Sequence, residues 1–137
     1  MSENETDMKK VRGFAGIIDN ALTPLKTNLK FQTKFGKKSL KFLLNANNVN
    51  FAAIITIDHG LLEVESIKNK PPENLKKKKI GWDGYLEMDT QTFLRMAMNR
   101  ISLLGVAKKW LTGNVKMKGI LKLLNLLKMF NSLAELD

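Results

Sequence analysis

Cysteine is absent from this chain, histidine occurs once and proline three times. Without cysteine there is no disulfide framework, no thiolate metal site and no thiol nucleophile. His59 by itself cannot complete a zinc site. No apolar run approaches the ~20 residues that a membrane-spanning helix requires. The stretch Met1–Asp7 is polar and acidic, the opposite of a secretory leader, so a cytoplasmic protein is expected. No glycine-rich phosphate loop is present, and Ser39, Ser66, Ser102 and Ser132 lack the context of a nucleophile elbow. The residues therefore predict a protein that is not an enzyme and needs no cofactor or metal.

What remains is a chain of 137 residues, 44% hydrophobic and 26% charged. That length suits one core, so a flexible tail over 1–7 and a single domain over 8–137 are expected. The net charge of +10 favours anionic partners. Its densest part is the run Lys76, Lys77, Lys78 and Lys79, with Lys68 and Lys70 close by. Lysines beside an acidic leaflet contribute about 1 kcal/mol each, which makes these six the candidates for docking on an anionic membrane surface. The competing reading is a solvated loop. Nucleic acid is not expected as a partner, because no reader motif accompanies the positive charge.

Periodicity sets the order of elements. Val11, Phe14, Ala15, Ile18 and Leu22 recur at helical spacing over Met8–Leu22. Thr23-Pro24 then suggests a cap and a restarted helix to about Phe35. From Ser39 the period becomes two: Leu40, Phe42 and Leu44 share one face of Ser39–Asn45. Phe51–Asp58 is β-branched and apolar, Asp58-His59-Gly60 is a turn, and Leu61–Ile67 returns as the second arm of a hairpin. A fourth strand is expected at about Ile80–Met88, with Trp82, Leu86 and Met88 on one side. Asp89 or Thr90 can cap a helix carrying Phe93, Leu94, Ala97 and Met98. A short helix at Leu103–Leu111 and a strand at Asn114–Lys118 follow. Lys41, Glu63, Glu65, Glu87, Lys116 and Lys118 share the outward parity. One sheet face is thus expected to be wet and every helix to cover the other, an α+β two-layer sandwich.

The last helix is too apolar for that task alone. Lys122, Asn125, Lys128, Ser132 and Glu135 form one narrow polar stripe, and the rest of Ile120–Leu133 is mostly apolar. A helix resting on a sheet needs an apolar arc somewhat over about 100°, and this arc is roughly twice as wide. Such a helix either walls a lipid cavity or is buried against another helix or a second copy in a homodimer. Phe93, Met96, Ala97, Leu103, Leu104 and Trp110 are candidates to line the same cavity, with Leu121, Leu124, Leu127 and Phe130 from the helix itself. Thr112 is placed to hydrogen-bond a ligand head group.

Gly84-Tyr85-Leu86-Glu87-Met88-Asp89, Thr92-Phe93-Leu94 and then Trp110-Leu111-Thr112-Gly113-Asn114-Val115-Lys116-Met117-Lys118-Gly119 before a leucine-rich helix resemble the sterol carrier protein 2 (SCP-2) family. The likeness is clearest over Trp82–Phe130. It implies a five-stranded, mainly antiparallel sheet, helices on one face, and a hydrophobic tunnel between the layers. It also implies a lipid as partner: a sterol, an isoprenoid, a fatty acid or a phospholipid acyl chain. Three departures stand out. Thr112 replaces the glutamine frequent before the first glycine, the chain ends Glu135-Leu136-Asp137 instead of a peroxisomal address, and the basic Ile67–Lys79 connection is longer than the tight turn expected there.

Overall fold

The computed structural model describes residues 13–97, 108, 113 and 115–134. Helix α1 (Gly13–Lys26) buries Phe14, Ala15, Ile18, Leu22 and Leu25 along one stripe. It does not stop at Thr23-Pro24. The Thr23 hydroxyl donates to the Asp19 carbonyl one turn back (2.7 Å) instead of capping a new helix. Burial of Leu25 and the Lys26–Asp19 pair (2.5 Å) hold the last turn despite the proline. The restart comes later, at α2 (Leu29–Lys34), where the Asn28 side chain accepts the Phe31 N–H at 2.8 Å.

Five strands follow the expected parity: β1 (Ser39–Ala46), β2 (Phe51–Asp58), β3 (Leu61–Lys68), β4 (Gly84–Met88) and β5 (Lys116–Lys118). Their order across the sheet is β3-β2-β1-β4-β5, and only β1 and β4 pair in parallel. The hairpin turn is His59-Gly60, both at positive φ (52° and 86°), the backbone that matches strand twist in two-residue loops. A Cβ on Gly60 would stand 2.6 Å from the Gln32 carbonyl oxygen, so the turn is seated on α2.

The inner face presents Leu40, Phe42, Leu44, Ile55, Ile57, Val64, Leu86 and Met88 to the helices. Helix α3 (Lys77–Ile80) is a single turn in the β3–β4 link, and α4 (Thr90–Ala97) follows β4. Asp89 Oδ1 accepts the Thr92 N–H at 2.7 Å and caps α4. Phe93 is fully buried, its ring 5.0 Å from that of Phe14. The final helix, α5 (Ile120–Ala134), closes the layer with Leu123, Leu126, Met129 and Phe130 inward.

The outer face differs from expectation. It is wet at Glu63 and Glu65 on β3 and at Lys116 and Lys118 on β5. Between those edges lies a second apolar cluster: Leu43, Ala52, Ile54, Leu75, Trp82 and Tyr85, with Ile67 and Ile80 packed on it. The cause is topological. β3 and β4 both run parallel to β1, so the link between them must cross a face of the sheet. A 3-10 turn (Pro72–Leu75) and α3 make that crossing on the outer side. Not every helical turn therefore covers the inner face, and the long connection is a strap.

Trp82 belongs to the strap, not to the inner side of β4. Asp83 interrupts the strand, accepting the Lys41 N–H on its carboxylate (2.8 Å) and donating its own N–H to the Lys41 carbonyl (2.6 Å). The strand accordingly begins at Gly84, not near Ile80, and the parity counted back from Leu86 fails at Trp82. Of the expected helix at Leu103–Leu111 only Lys108 is among the described residues, and it is helical.

Candidate functional site

Two concave features flank the β4–β5 edge, one on each side of the sheet. On the inner side, α5 crosses β4 and β5. Gly84 lets it approach: a Cβ there would meet Leu123 Cδ2 at 2.8 Å and Phe42 Cδ1 at 3.1 Å. Beside this contact Leu86, Met117, Leu123, Leu126 and Leu127 enclose an apolar void of about 10 Å³. That is close to one water in size, and a site without polar partners does not hold water well.

Of the expected cavity residues among those described, Leu127 alone lines this void. Phe93, Met96 and Phe130 are buried in the inner core, and Leu127 is half-buried at the void. Leu121 and Leu124 are 81% and 43% exposed and face solvent with Ile120, not the sheet. The outer surface of α5 thus exposes Ile120, Leu121 and Leu124 at its N-terminal end, beside the polar stripe. Part of that stripe is used internally: Asn125 Oδ1 accepts from Lys38 Nζ at 2.7 Å, and the Ser132 hydroxyl donates to the Lys128 carbonyl. Leu103, Leu104, Trp110 and Thr112 lie outside the described residues, as does the side chain of Ala97.

On the outer side the strap and the sheet leave a groove of about 320 Å³, lined by Pro72, Leu75, Lys76, Lys77, Trp82, Tyr85 and Lys118. Its floor is aromatic, with the Trp82 and Tyr85 rings 5.6 Å apart. Lys77 Nζ sits 5.6 Å from the Trp82 ring centre and Lys118 Nζ 5.7 Å from that of Tyr85. Both are within reach of a cation–π attraction. Of the six lysines singled out for docking, Lys76 and Lys77 line this groove and Lys78 and Lys79 are exposed on the same strap, while Lys68 and Lys70 are exposed at the end of β3 and just beyond it. The groove escaped sequence reasoning. Its signal was Leu75 and Ile80 spaced within a lysine-rich link that was too long for a turn.

Behind the groove runs a polar chain. The Tyr85 hydroxyl donates to Glu87 Oε1 (2.5 Å), and Asn45 Nδ2 donates to both groups (3.2 and 3.1 Å). Asn69 Nδ2 donates in turn to Asn45 Oδ1 at 3.0 Å. Burial, the bond to Glu87 and the charge of that carboxylate push the Tyr85 phenol well up, against a smaller opposing effect of Asn45. Tyr85 is the only tyrosine. Its ultraviolet titration should therefore show no ionisation at the ordinary value of about 10. The unfolded chain loses this proton at that pH and the folded chain keeps it, so this contribution to stability is lost as pH rises above it. A midpoint near 10 in the native protein would contradict the Tyr85–Glu87 bond.

Among the described residues no group of three or more metal-ligating side chains converges, and no helix is long and apolar enough to cross a membrane.

Comparison with family models and with curated sequences gives no match. Solved structures do match. The UbiJ-SCP2 ubiquinone synthesis protein superposes with a TM-score of 0.62 at 13% identity, covering 90% of this chain and 92% of that one. Sterol carrier protein 2 from Yarrowia lipolytica in its apo form gives 0.54 at 18% identity, over 89% and 94% of the two chains. The chain has the SCP-2 fold. A sec-alkylsulfatase, Pisa1 from Pseudomonas sp., also matches at a TM-score of 0.54 and 16% identity, over 73% of this chain. The present chain spans only 14% of that sulfatase. In SCP-2 terms the glycine-bracketed strand is β5, the leucine-rich element is α5, and the inner void lies between them and β4. The five-stranded, mainly antiparallel sheet expected from the resemblance is present.

Proposed function

We propose that this protein is a non-catalytic lipid carrier that takes an apolar chain between α5 and the β4–β5 edge. The chain is a sterol, an isoprenoid, a fatty acid or a phospholipid acyl tail. The observation that carries the reading is α5 itself, apolar toward the sheet and carrying exposed Ile120, Leu121 and Leu124 toward solvent, lying over an apolar void between the layers. The SCP-2 fold supports it.

Energetics set the requirement. Burying a methylene is worth about 0.8 kcal/mol, so sixteen contribute about 13 kcal/mol relative to water. A bilayer supplies nearly the same, and a carrier can extract the chain only if its interior is equally apolar. The wall formed by Leu86, Met117, Leu123, Leu126 and Leu127 meets that condition. Uptake requires α5 to move outward, with methylenes of the lipid replacing the contacts it gives up. In this reading Phe93, Met96, Phe130 and the head-group candidate Thr112 border the opened space. The protein works from the cytoplasm and docks on anionic membranes through Lys68, Lys70, Lys76, Lys77, Lys78 and Lys79.

Native mass spectrometry of freshly purified protein tests the carrier function, with solvent extraction to identify what is bound. A mass increment released as lipid is expected. A protein that carries none and fails to bind a fluorescent fatty acid is not a carrier. Docking is tested separately: binding to anionic vesicles should weaken as salt is raised, and binding indifferent to salt removes the lysines from the mechanism.

The exposed Ile120, Leu121 and Leu124 favour one other reading, an interaction module that joins two copies through α5. Sedimentation separates the two, because that reading requires a stable dimer without lipid.

A further inference from the structure

We propose that the outer groove is a discrete binding site for the phosphomonoester head group of an anionic membrane lipid, of the phosphatidic acid type. This deepens the docking reading above and rests on it, but it makes a separate claim. The bilayer is recognised at one built site and not merely by diffuse positive charge.

The Trp82 indole N–H is already spent on the Leu75 carbonyl (2.9 Å), and the Tyr85 hydroxyl is spent on Glu87. The donors left in the lining are the ammonium groups of Lys76, Lys77 and Lys118, and the lining contains no acidic residue. Glu87, the nearest carboxylate behind it, is held by Tyr85 and by Lys116 (3.7 Å). Three ammonium groups with no acid in the lining itself suit a phosphomonoester, and they outnumber Glu73, exposed on the strap between Pro72 and Leu75. Such a group carries close to two negative charges near neutral pH, about double that of a phosphodiester or carboxylate. Lysine binds phosphate as a point charge, and a site built from it rewards charge over shape.

Two of the three lysines are also positioned. Lys77 and Lys118 rest over aromatic rings, which keeps their ammonium groups at the groove instead of spread into solvent. The floor of Leu75, Trp82 and Pro72 suits the glycerol and first methylenes of a lipid, not the polar remainder of a soluble phosphate.

The surroundings select a membrane as the source. Lys78 and Lys79 are exposed on the strap next to the lining residues Lys76 and Lys77 and extend the positive surface beyond a single ligand. Acidic Glu63 and Glu65 lie on β3, at the opposite edge of the sheet. The face is therefore polarised, and its basic end is the one presented to an anionic leaflet.

The test compares two lysine pairs in the full chain. K77Q/K118Q removes two charges from the groove while keeping most of each aliphatic stem over its ring. K30Q/K34Q removes two exposed charges from α2, on the inner side of the sheet. Vesicles of phosphatidylcholine carry either phosphatidic acid or phosphatidylglycerol, at mole fractions that match surface charge. Wild type is expected to prefer phosphatidic acid. K77Q/K118Q should lose that preference and bind roughly thirtyfold more weakly, while K30Q/K34Q should stay within a factor of about two. Equal affinity for the two lipids in wild type, or equal losses in the two variants, overturns the site. Saturation by glycerol 3-phosphate with no vesicle binding would reassign the groove to a soluble phosphate and overturn the lipid source. Thermal melts check that each variant is folded. Native mass spectrometry of the same proteins keeps the two claims apart: absence of interior lipid in wild type refutes the carrier reading, and the vesicle comparison still decides the groove.

Discussion

Gly119→Ala is expected to destabilise the domain by about 3 kcal/mol, a fall of roughly 10 °C in thermal midpoint for a chain of this size. Gly119 ends β5 and starts α5 at φ 70°, in the left-handed region where a side chain costs about 1–2 kcal/mol. Space is the greater obstacle. A Cβ at this position would stand 2.3 Å from the Asp83 carbonyl oxygen, which is backbone and has no rotamer to change. Asp83 cannot yield either, because both its N–H and its carboxylate are tied to Lys41. Relief must come from lifting the start of α5 off β4, and that separates Leu123 from Gly84. Gly113→Ala is the control. Its φ is 83° but nothing lies within 4 Å of the added atom, so only the backbone penalty of about 1 kcal/mol applies. Urea denaturation of the two variants decides the matter, and equal losses would mean that close approach at Gly119 contributes nothing.

Leu127→Trp should abolish chain uptake, with at least a tenfold loss of fatty-acid affinity on the order of 1.4 kcal/mol. Leu127 is half-buried at the rim of the inner void, beside Met117 and Leu123. An indole is far larger than a void of about 10 Å³, so it lies across the opening between α5 and β5 and takes the path proposed for the ligand. Because the position is only half-buried, the excess volume can extend toward solvent, and the expected cost in stability is about 1 kcal/mol. Leu121→Trp on the solvent face adds the same ring without touching the path. Displacement of a fluorescent fatty acid should therefore distinguish the two variants. If both bind as wild type does, chains enter somewhere other than under α5.

Much of this architecture could be read from alternation. Leu40, Phe42 and Leu44 against Lys41, and Leu62 and Val64 against Glu63 and Glu65, assign each strand's inner face without any tertiary information. A side-chain period of two permits only one assignment when one parity is charged. Asp58-His59-Gly60 marked the hairpin because a two-residue turn needs positive φ, which glycine adopts freely. Thr23-Pro24 misled for a local reason: a threonine hydroxyl can bond back into its own helix as readily as it caps a new one. Trp82 misled because parity holds only within continuous strand, and Asp83 breaks the strand just before Gly84.

The wide apolar arc of α5 was a property of the chain by itself. So were the glycine-bracketed strand ahead of it, the concentration of lysine after β3, and the division of each strand into a wet and a dry side. All of these follow from the identities of near neighbours, since helical and strand periods bring residues two to four apart onto one surface. The pairing of β1 with β4 was decided only in three dimensions. That parallel contact joins segments about forty residues apart, and no local period encodes it. Once it forms, the link from β3 must cross the sheet, carry Leu75 and Trp82 onto the outer face, and set Lys77 opposite Lys118. The inner void and the outer groove both depend on that crossing topology, because the side chains that build them become neighbours only after the strands have been ordered.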